Sequence, residues 1–206
     1  MNDLQTRLIG CLSHGVCCSM QSVESMIAVS CFAMQAHSIE GEIVEFGTAA
    51  GHTARIIALS SSKQLHLYDS FAGLPDKTPQ DGSSDTFKKG MIKVDQDVVL
   101  KAFQAFGLPI PHIHPGWFDD LTQADIPDKI AMAVLDGDFY KSILTPLNLI
   151  YPRLSPGATV LIHDYLHKDL PGVKQAVDEF FFGKPETVTQ VFGSFGQHVF
   201  AKVTKV

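Results

Sequence analysis

The 206-residue chain is poor in charge, in cysteine and in long apolar runs. Charged residues make up only 18%, against 45% hydrophobic, which excludes a disordered tail or linker. No basic excess exists: 16 Lys and Arg face 22 Asp and Glu, a formal net charge of -6. With no Lys/Arg cluster, a general affinity for nucleic acid phosphates is not expected. The four cysteines, Cys11, Cys17, Cys18 and Cys31, form no Cys-x-x-Cys pair. They read as free thiols packed on helices, not as a zinc or redox framework. No uncharged apolar stretch reaches the ~20 residues that span a bilayer. The N-terminus also lacks the basic run that opens a signal peptide. A soluble, cytoplasmic protein with no membrane partner is expected.

The length suits one α/β domain with a sizeable core. Residues 1–40 form a separate N-terminal segment. Before position 40 only Asp3, Arg7 and Glu24 carry charge, and helices with so little charge are usually buried. One or two helices are expected over 1–37, with a break near Ser13-His14-Gly15. They would cover the sheet, cap the active site or join subunits in a homo-oligomer. Residues 41–206 form the second unit. Strands are expected near 42–47, 65–69, 111–114, 130–136 and 158–163, and helices over 52–60, 96–106, 141–153 and 172–182. This alternation predicts a parallel sheet with helices on both faces. Two last strands, near 187–192 and 197–203, are joined by Gly193-Ser-Phe-Gly196, a connection that forces antiparallel pairing. Residues 75–95 are polar and rich in turn formers, as in a lid or a mobile loop.

The strand Ile43–Phe46 runs into a small-residue turn, Gly47-Thr-Ala-Ala-Gly51, and then a helix from His52. Such a turn lets backbone approach a ligand, and the helix N-terminus offers N–H groups to it. The pattern is Glu45-x-Gly47-x-x-x-Gly51, with an acid where a dinucleotide fingerprint places its first glycine. That points from NAD towards S-adenosylmethionine (SAM). Asp69 ends the second strand some 20 residues on, where an acid accepts hydrogen bonds from ribose hydroxyls; a turn or cap aspartate is the plainer alternative. Asp136 and Asp138 follow the fourth strand, and His163 and Asp164 the fifth. Carboxyl ends of adjacent parallel strands are where ligands bind, so these four could converge. Their oxygens suit Mg²⁺ or Ca²⁺, and the histidine tolerates a transition metal. Trp117, the only tryptophan, could wall an adenine ring or sit in a core. His14, His37 and His167 read as exposed.

In order along the chain stand Glu45-Phe-Gly-Thr-Ala-Ala-Gly51, Asp69-Ser-Phe-Ala-Gly-Leu-Pro75, Gly116-Trp-Phe118, Leu135-Asp-Gly-Asp-Phe-Tyr-Lys-Ser142 and His163-Asp-Tyr165. This combination resembles the macrocin O-methyltransferase family, which methylates sugar hydroxyls of macrolides and related natural products. The resemblance covers roughly residues 40–203. It implies a Rossmann-like class I methyltransferase fold, with a mostly parallel seven-stranded sheet and a C-terminal antiparallel hairpin. It implies SAM as donor and a divalent metal, usually Mg²⁺. By position, Glu45, Gly47, Thr48, Gly51 and Thr53 would line the methionine part of SAM. Asp69 would hold the ribose with Ser70 beside it, and Trp117 and Phe118 would border the adenine. Asp136 would stand beside the cofactor and join His163 and Asp164 on the metal. The family has two adjacent acids where this chain has His163-Asp164, so the site is less negative. The chain is also shorter at the N-terminus and after Pro75, where the acceptor pocket is shaped.

The expected activity is SAM-dependent O-methylation of a small-molecule hydroxyl, on a sugar or polyol unit. The reaction needs alignment of two centres and removal of the hydroxyl proton. Asp136, His163 and Asp164 are the metal candidates, and Asp138 and His163 the candidate bases. An NAD(P)-dependent oxidoreductase is the rival. It is opposed by Glu45 and by the lack of a Tyr-x-x-x-Lys pair near the fourth strand. A non-catalytic SAM-binding protein is the other alternative.

Overall fold

The computed structural model describes residues 22–191 and 200–206. Helix α1 (Val23–Gln35) precedes strand β1 (Glu42–Phe46), α2 (His52–Ser60) and β2 (Leu65–Asp69). Then come α3 (Gln96–Ala105), β3 (His112–Pro115), β4 (Ile130–Leu135), α4 (Tyr140–Ile150), β5 (Leu154–Ile162) and α5 (Pro171–Phe181). Strands β6 (Thr189–Val191) and β7 (Phe200–Thr204) complete one seven-stranded sheet of order β3-β2-β1-β4-β5-β7-β6. The first five strands are parallel, and β7 is antiparallel to both β5 and β6. This is the sheet expected from the sequence. The connection at 193–196, and the N-terminal segment before Ser22, lie outside the described residues.

Central strand β4 (Ile-Ala-Met-Ala-Val-Leu) is buried along its whole length, which explains its unbroken apolar run. Its alternate residues feed two cores. Met132 and Val134 pack with Met26 and Val29 of α1, Ile56 of α2 and Phe103 of α3. Ala133 and Leu135 pack with Ile143 of α4 and Val177 of α5. Helices therefore cover both faces, and α1 belongs to the first core. Ser22 caps α1 through a hydrogen bond from the Ser25 N–H. Among the described residues no helix is long and apolar enough to cross a membrane.

Two boundaries depart most from expectation, most of the rest shifting by a residue or two. Helix α4 stops at Ile150, and a single 3₁₀ turn, Tyr151–Arg153, follows. Pro152 has no N–H to continue the helix. Strand β5 starts at Leu154, not 158. Its pairing with β4 jumps from Ile130–Leu154 to Met132–Thr159, so Pro156 and Gly157 sit in a bulge off β4, where Pro156 needs no partner and the Gly157 N–H donates to the Lys205 carbonyl at 2.9 Å.

Candidate active site

The strand order reverses between β1 and β4, and the polar strand ends of the sequence meet beyond that point. Gly47 leaves β1 with φ +86°, and a Cβ there would stand 2.0 Å from the carbonyl oxygen of Asp136. Only glycine fits so close an approach. The turn then closes with the Gly51 N–H on the Thr48 carbonyl, and Gly51 (φ +73°) starts α2.

Asp69 ties this turn to β2. Its Oδ2 accepts from the Thr48 and Ala49 N–H groups at 2.8 and 2.9 Å, and its Oδ1 from the Phe71 N–H at 2.7 Å. The sequence pattern had those turn N–H groups facing a ligand. In the folded chain two of them face the aspartate. Ser70 donates to the Gly73 carbonyl, fixing the next bend.

Four further groups come from β4 and β5. Asp136 and Asp164 flank His163: the imidazole Nδ1 lies 3.1 Å from Asp136 Oδ1 and 2.9 Å from Asp164 Oδ2. Asp138 and Asp164 adopt φ values of 63° and 58°, in the left-handed region, and both line the same cavity. One donor atom from each of Asp136, His163 and Asp164 lies within 4.8 Å of the others. Two carboxylates and one imidazole fit a divalent ion. The imidazole shifts the preference from Mg²⁺ towards borderline ions such as Mn²⁺, Fe²⁺ or Zn²⁺.

The electrostatics are unbalanced towards negative charge. Burial, aggravated by Asp136 and Asp69, holds the Glu45 carboxyl well above its ordinary range. Burial does the same to Asp138, which is 8% exposed, with Asp136 and Asp164 adding to it. For His163 burial opposes a charge, but the two neighbouring carboxylates outweigh it and hold the ring well above the usual imidazole range. Both of its nitrogens are sealed from solvent. A proton on that ring would offset part of the charge of its two carboxylate neighbours.

These groups border a cavity of about 470 Å³. Gly47, Asp69, Ser70, Trp117, Phe118, Asp136, Asp138, His163 and Asp164 all line it. Glu45, Thr48 and Thr53 are buried behind its wall instead, and Thr48 Oγ1 donates to Glu45 at 3.2 Å. Gly51 likewise stands off the cavity, against Val99.

Several lining residues went unnoticed in the sequence. Leu74, Phe87 and Ile92 give an apolar wall, drawn largely from the polar loop 75–95. Phe87 and the Met91-Ile92 pair, apolar side chains in a polar stretch, were the available signal. His167, which read as exposed, lines the cavity half-buried, edge-on to Phe87 at 5.6 Å. Lys141 pairs with Asp119 at 2.7 Å on the rim. Asp81 lies outside the cavity but anchors its loop. Its Oδ2 accepts from the Thr78 N–H and hydroxyl, and its Oδ1 from the Tyr140 N–H at the start of α4, at 2.6 Å.

The chain is similar to known proteins over most of its length. The family model described as macrocin-O-methyltransferase (TylF) matches residues 19–189. The 8-demethyl-8-(2,3-dimethoxy-alpha-L-rhamnosyl)-tetracenomycin-C 4'-O-methyltransferase of Streptomyces olivaceus is 26% identical over 81% of this chain and 69% of its own length. The demethyldecarbamoylnovobiocin O-methyltransferase of Streptomyces niveus is 29% identical over 70% of this chain. The mycinamicin III 3''-O-methyltransferase of Micromonospora griseorubida is 31% identical over 69%. The matches span 59% and 61% of those two proteins' lengths, about three fifths. Among solved structures, the O-methyltransferase NovP superimposes with a TM-score of 0.75 at 20% identity, covering 91% of this chain and 82% of that one. The calicheamicin methyltransferase CalS11 gives 0.72 at 16% identity, over 99% and 93%. At those identities the likeness establishes the fold.

Proposed function

The chain belongs to the macrocin-O-methyltransferase family, and from that premise we propose that it moves the methyl group of SAM to a hydroxyl on a sugar or polyol unit of a natural product. The observation that carries the reading is the acidic pocket at the β1/β4 reversal. Asp69, Asp136, Asp138 and Asp164 face one cavity, with only the imidazoles of His163 and His167 and the Lys141 ammonium to offset them. Such a site favours a cationic ligand, and the sulfonium of SAM is one.

Gly47 and Ala49 bring bare backbone to the cavity for the methionine portion of the cofactor. Asp69 Oδ1 carries one hydrogen bond and keeps a lone pair for a ribose hydroxyl. Trp117 and Phe118 flank the adenine. Asp136, His163 and Asp164 are the residues that would hold a divalent ion, which would supply Lewis acidity to the acceptor oxygen.

Transfer is an in-line displacement. The acceptor oxygen forms a bond to the methyl carbon as the carbon–sulfur bond breaks, leaving neutral S-adenosylhomocysteine. The hydroxyl proton needs a base. His163 is poorly placed for it: its Nδ1 faces two carboxylates, and neither nitrogen reaches solvent. Asp138 lines the cavity, and burial with the nearby Asp136 and Asp164 carboxylates raises its affinity for a proton. We assign the base role to Asp138, with His163 as ligand or counter-charge. The same reading sets the reaction in the cytoplasm; α1 covers one face of the sheet, and the apolar side chains it leaves exposed, Ile27 and Met34, would serve a subunit contact.

Incubation with methyl-labelled SAM and a panel of glycosylated natural products tests the reading. An acceptor carrying the label on oxygen, with S-adenosylhomocysteine released, is the expected result. Retention of NAD(P) and not SAM by the purified protein would overturn it.

A further inference from the structure

Beyond β5 the chain turns back on itself. The His167 N–H donates to the Asp164 carbonyl at 2.9 Å, and the Leu170 N–H to the His167 carbonyl at 3.0 Å. These turns set the His167 ring, half-buried, on the cavity wall. Two contacts hold it there. Phe87 meets it edge-on, and the Asp169 N–H donates to its Nδ1 at 3.2 Å. The Asp169 carboxylate in turn accepts from the Ser84 hydroxyl at 3.0 Å, so the loop that supplies Phe87 is fastened to the same turn. A backbone N–H can only donate. Nδ1 therefore presents its lone pair, and the ring proton sits on Nε2. Among the described residues no hydrogen bond uses that Nε2.

We propose that His167 is a specificity-determining residue whose Nε2–H donates to a second oxygen of the acceptor, one that is not methylated. The inference rests on the methyl-transfer reading above and deepens it. The charged groups of the wall explain the need for such a donor. Asp69, Asp136, Asp138 and Asp164 are carboxylates, which accept hydrogen bonds. The Lys141 ammonium is held by Asp119 at 2.7 Å, and Asp76 is paired with Lys89 at 2.6 Å. Both nitrogens of His163, the other imidazole on the wall, are sealed from solvent. A hydroxyl of the acceptor can donate to a carboxylate, but an oxygen beside it needs an N–H. Held by Asp138 at the reacting hydroxyl and by His167 at a second oxygen, the acceptor is fixed at two points, and its oxygen is aligned for in-line attack. The ligand class is an alcohol with at least two oxygens, a sugar or polyol unit, whose apolar substituent meets Leu74, Phe87 and Ile92. A simple monohydric alcohol leaves the N–H unmatched. The tautomer also bars His167 Nε2 from taking the hydroxyl proton, which keeps the base role with Asp138.

The test combines two variants with p-nitrophenyl α-L-rhamnoside and its monodeoxy analogues as acceptors. His167→Asn keeps an oxygen for the Asp169 N–H and removes the Nε2 donor. His167→Gln places an amide N–H near the position of Nε2. With the parent glycoside, His167→Asn should lower kcat/KM about 3–10-fold, the range for one neutral hydrogen bond, and His167→Gln should recover part of it. The calorimetric Kd for SAM should not move in either. One deoxy analogue, lacking the contacted oxygen, should lose the same factor with the wild type and lose nothing further with His167→Asn. A residue that only braces the turn would not produce that non-additivity. Equal losses in His167→Asn with the parent glycoside and with every analogue would overturn the proposal alone. No methyl transfer to any of these glycosides by the wild type would remove the glycoside reading and this inference with it. Nitrogen NMR of histidine-labelled protein gives a readout free of any acceptor. The signal lost in His167→Gln should be that of an Nε2–H tautomer, and an Nδ1–H tautomer there would also overturn the proposal.

Discussion

Gly47 passes the main chain of Asp136 so closely that a Cβ on the glycine would lie 2.0 Å from the aspartate's carbonyl oxygen. The contact joins the cofactor turn of β1 to the acidic end of β4. It sets how far the turn stands from the carboxylates. Gly47→Ala must push the two apart and also strain a φ of +86°. A loss of about 1–3 kcal/mol in stability is expected, with weaker SAM binding. Thermal melts and calorimetry together check this; an alanine variant with wild-type values for both would refute the contact's role.

Asp81 caps α4 from a distance of 59 residues, through the bond from the Tyr140 N–H. It also closes its own turn on Thr78. Asp81→Ala leaves buried donors unmatched, at a cost of about 1–3 kcal/mol. The loop that supplies Phe87 and Ile92 loses its anchor, so KM for the acceptor should rise more than kcat falls. Asp81→Asn keeps one acceptor oxygen and should recover part of both. Steady-state kinetics with denaturant melts make the measurement.

Glu45 gives a pH signature. Its carboxyl is buried and held well above its ordinary value of 4.5, by burial first and then by Asp136. Below pH 4.5 the folded and unfolded chains are both protonated there, and the group is neutral in its effect. Above it the unfolded chain ionises while the folded one resists, so folding is penalised increasingly as pH rises. Glu45→Gln keeps an acceptor for the Thr48 hydroxyl and removes the penalty. The variant should melt higher than the parent at neutral pH, with the gap closing as pH falls towards 4.5. A gap that is constant with pH would contradict the buried neutral acid.

The sheet was legible because its signals are local. The apolar runs of β1 and β4, the glycine turn and the acids at the strand ends all lie within short windows. Asp69, Asp136, Asp138, His163 and Asp164 could therefore be picked out before any contact was known. What stayed hidden depends on distant partners. Nothing near Asp81 in the chain says that it caps α4. Nothing near Asp69 says that its oxygens are shared with Thr48 and Ala49. His167 reads as exposed because its burial comes from Phe87, eighty residues away. The early start of β5 was masked by Ser155-Pro156-Gly157, residues that punctuate a strand unless a bulge absorbs them.

The base assignment separates two residues. Asp138→Asn should lower kcat by about 10²–10⁴, the range for loss of a general base, and leave SAM affinity nearly unchanged. His163→Asp rebuilds a pair of acids and should tighten binding of Mg²⁺ while retaining turnover. If His163→Asp abolishes the reaction and Asp138→Asn spares it, the roles are reversed.

The central claim is that the acidic cavity at the β1/β4 reversal is a SAM site with Asp69 on the ribose. Calorimetric titration of the purified protein with SAM, and with NAD as control, tests it most directly. One equivalent of SAM should bind and NAD should give no heat. Asp69→Ala should weaken SAM by about 1–3 kcal/mol, as expected for lost hydrogen bonds to a charged group. No SAM binding by the folded wild type, or equal affinity in the Asp69→Ala variant, would contradict the account.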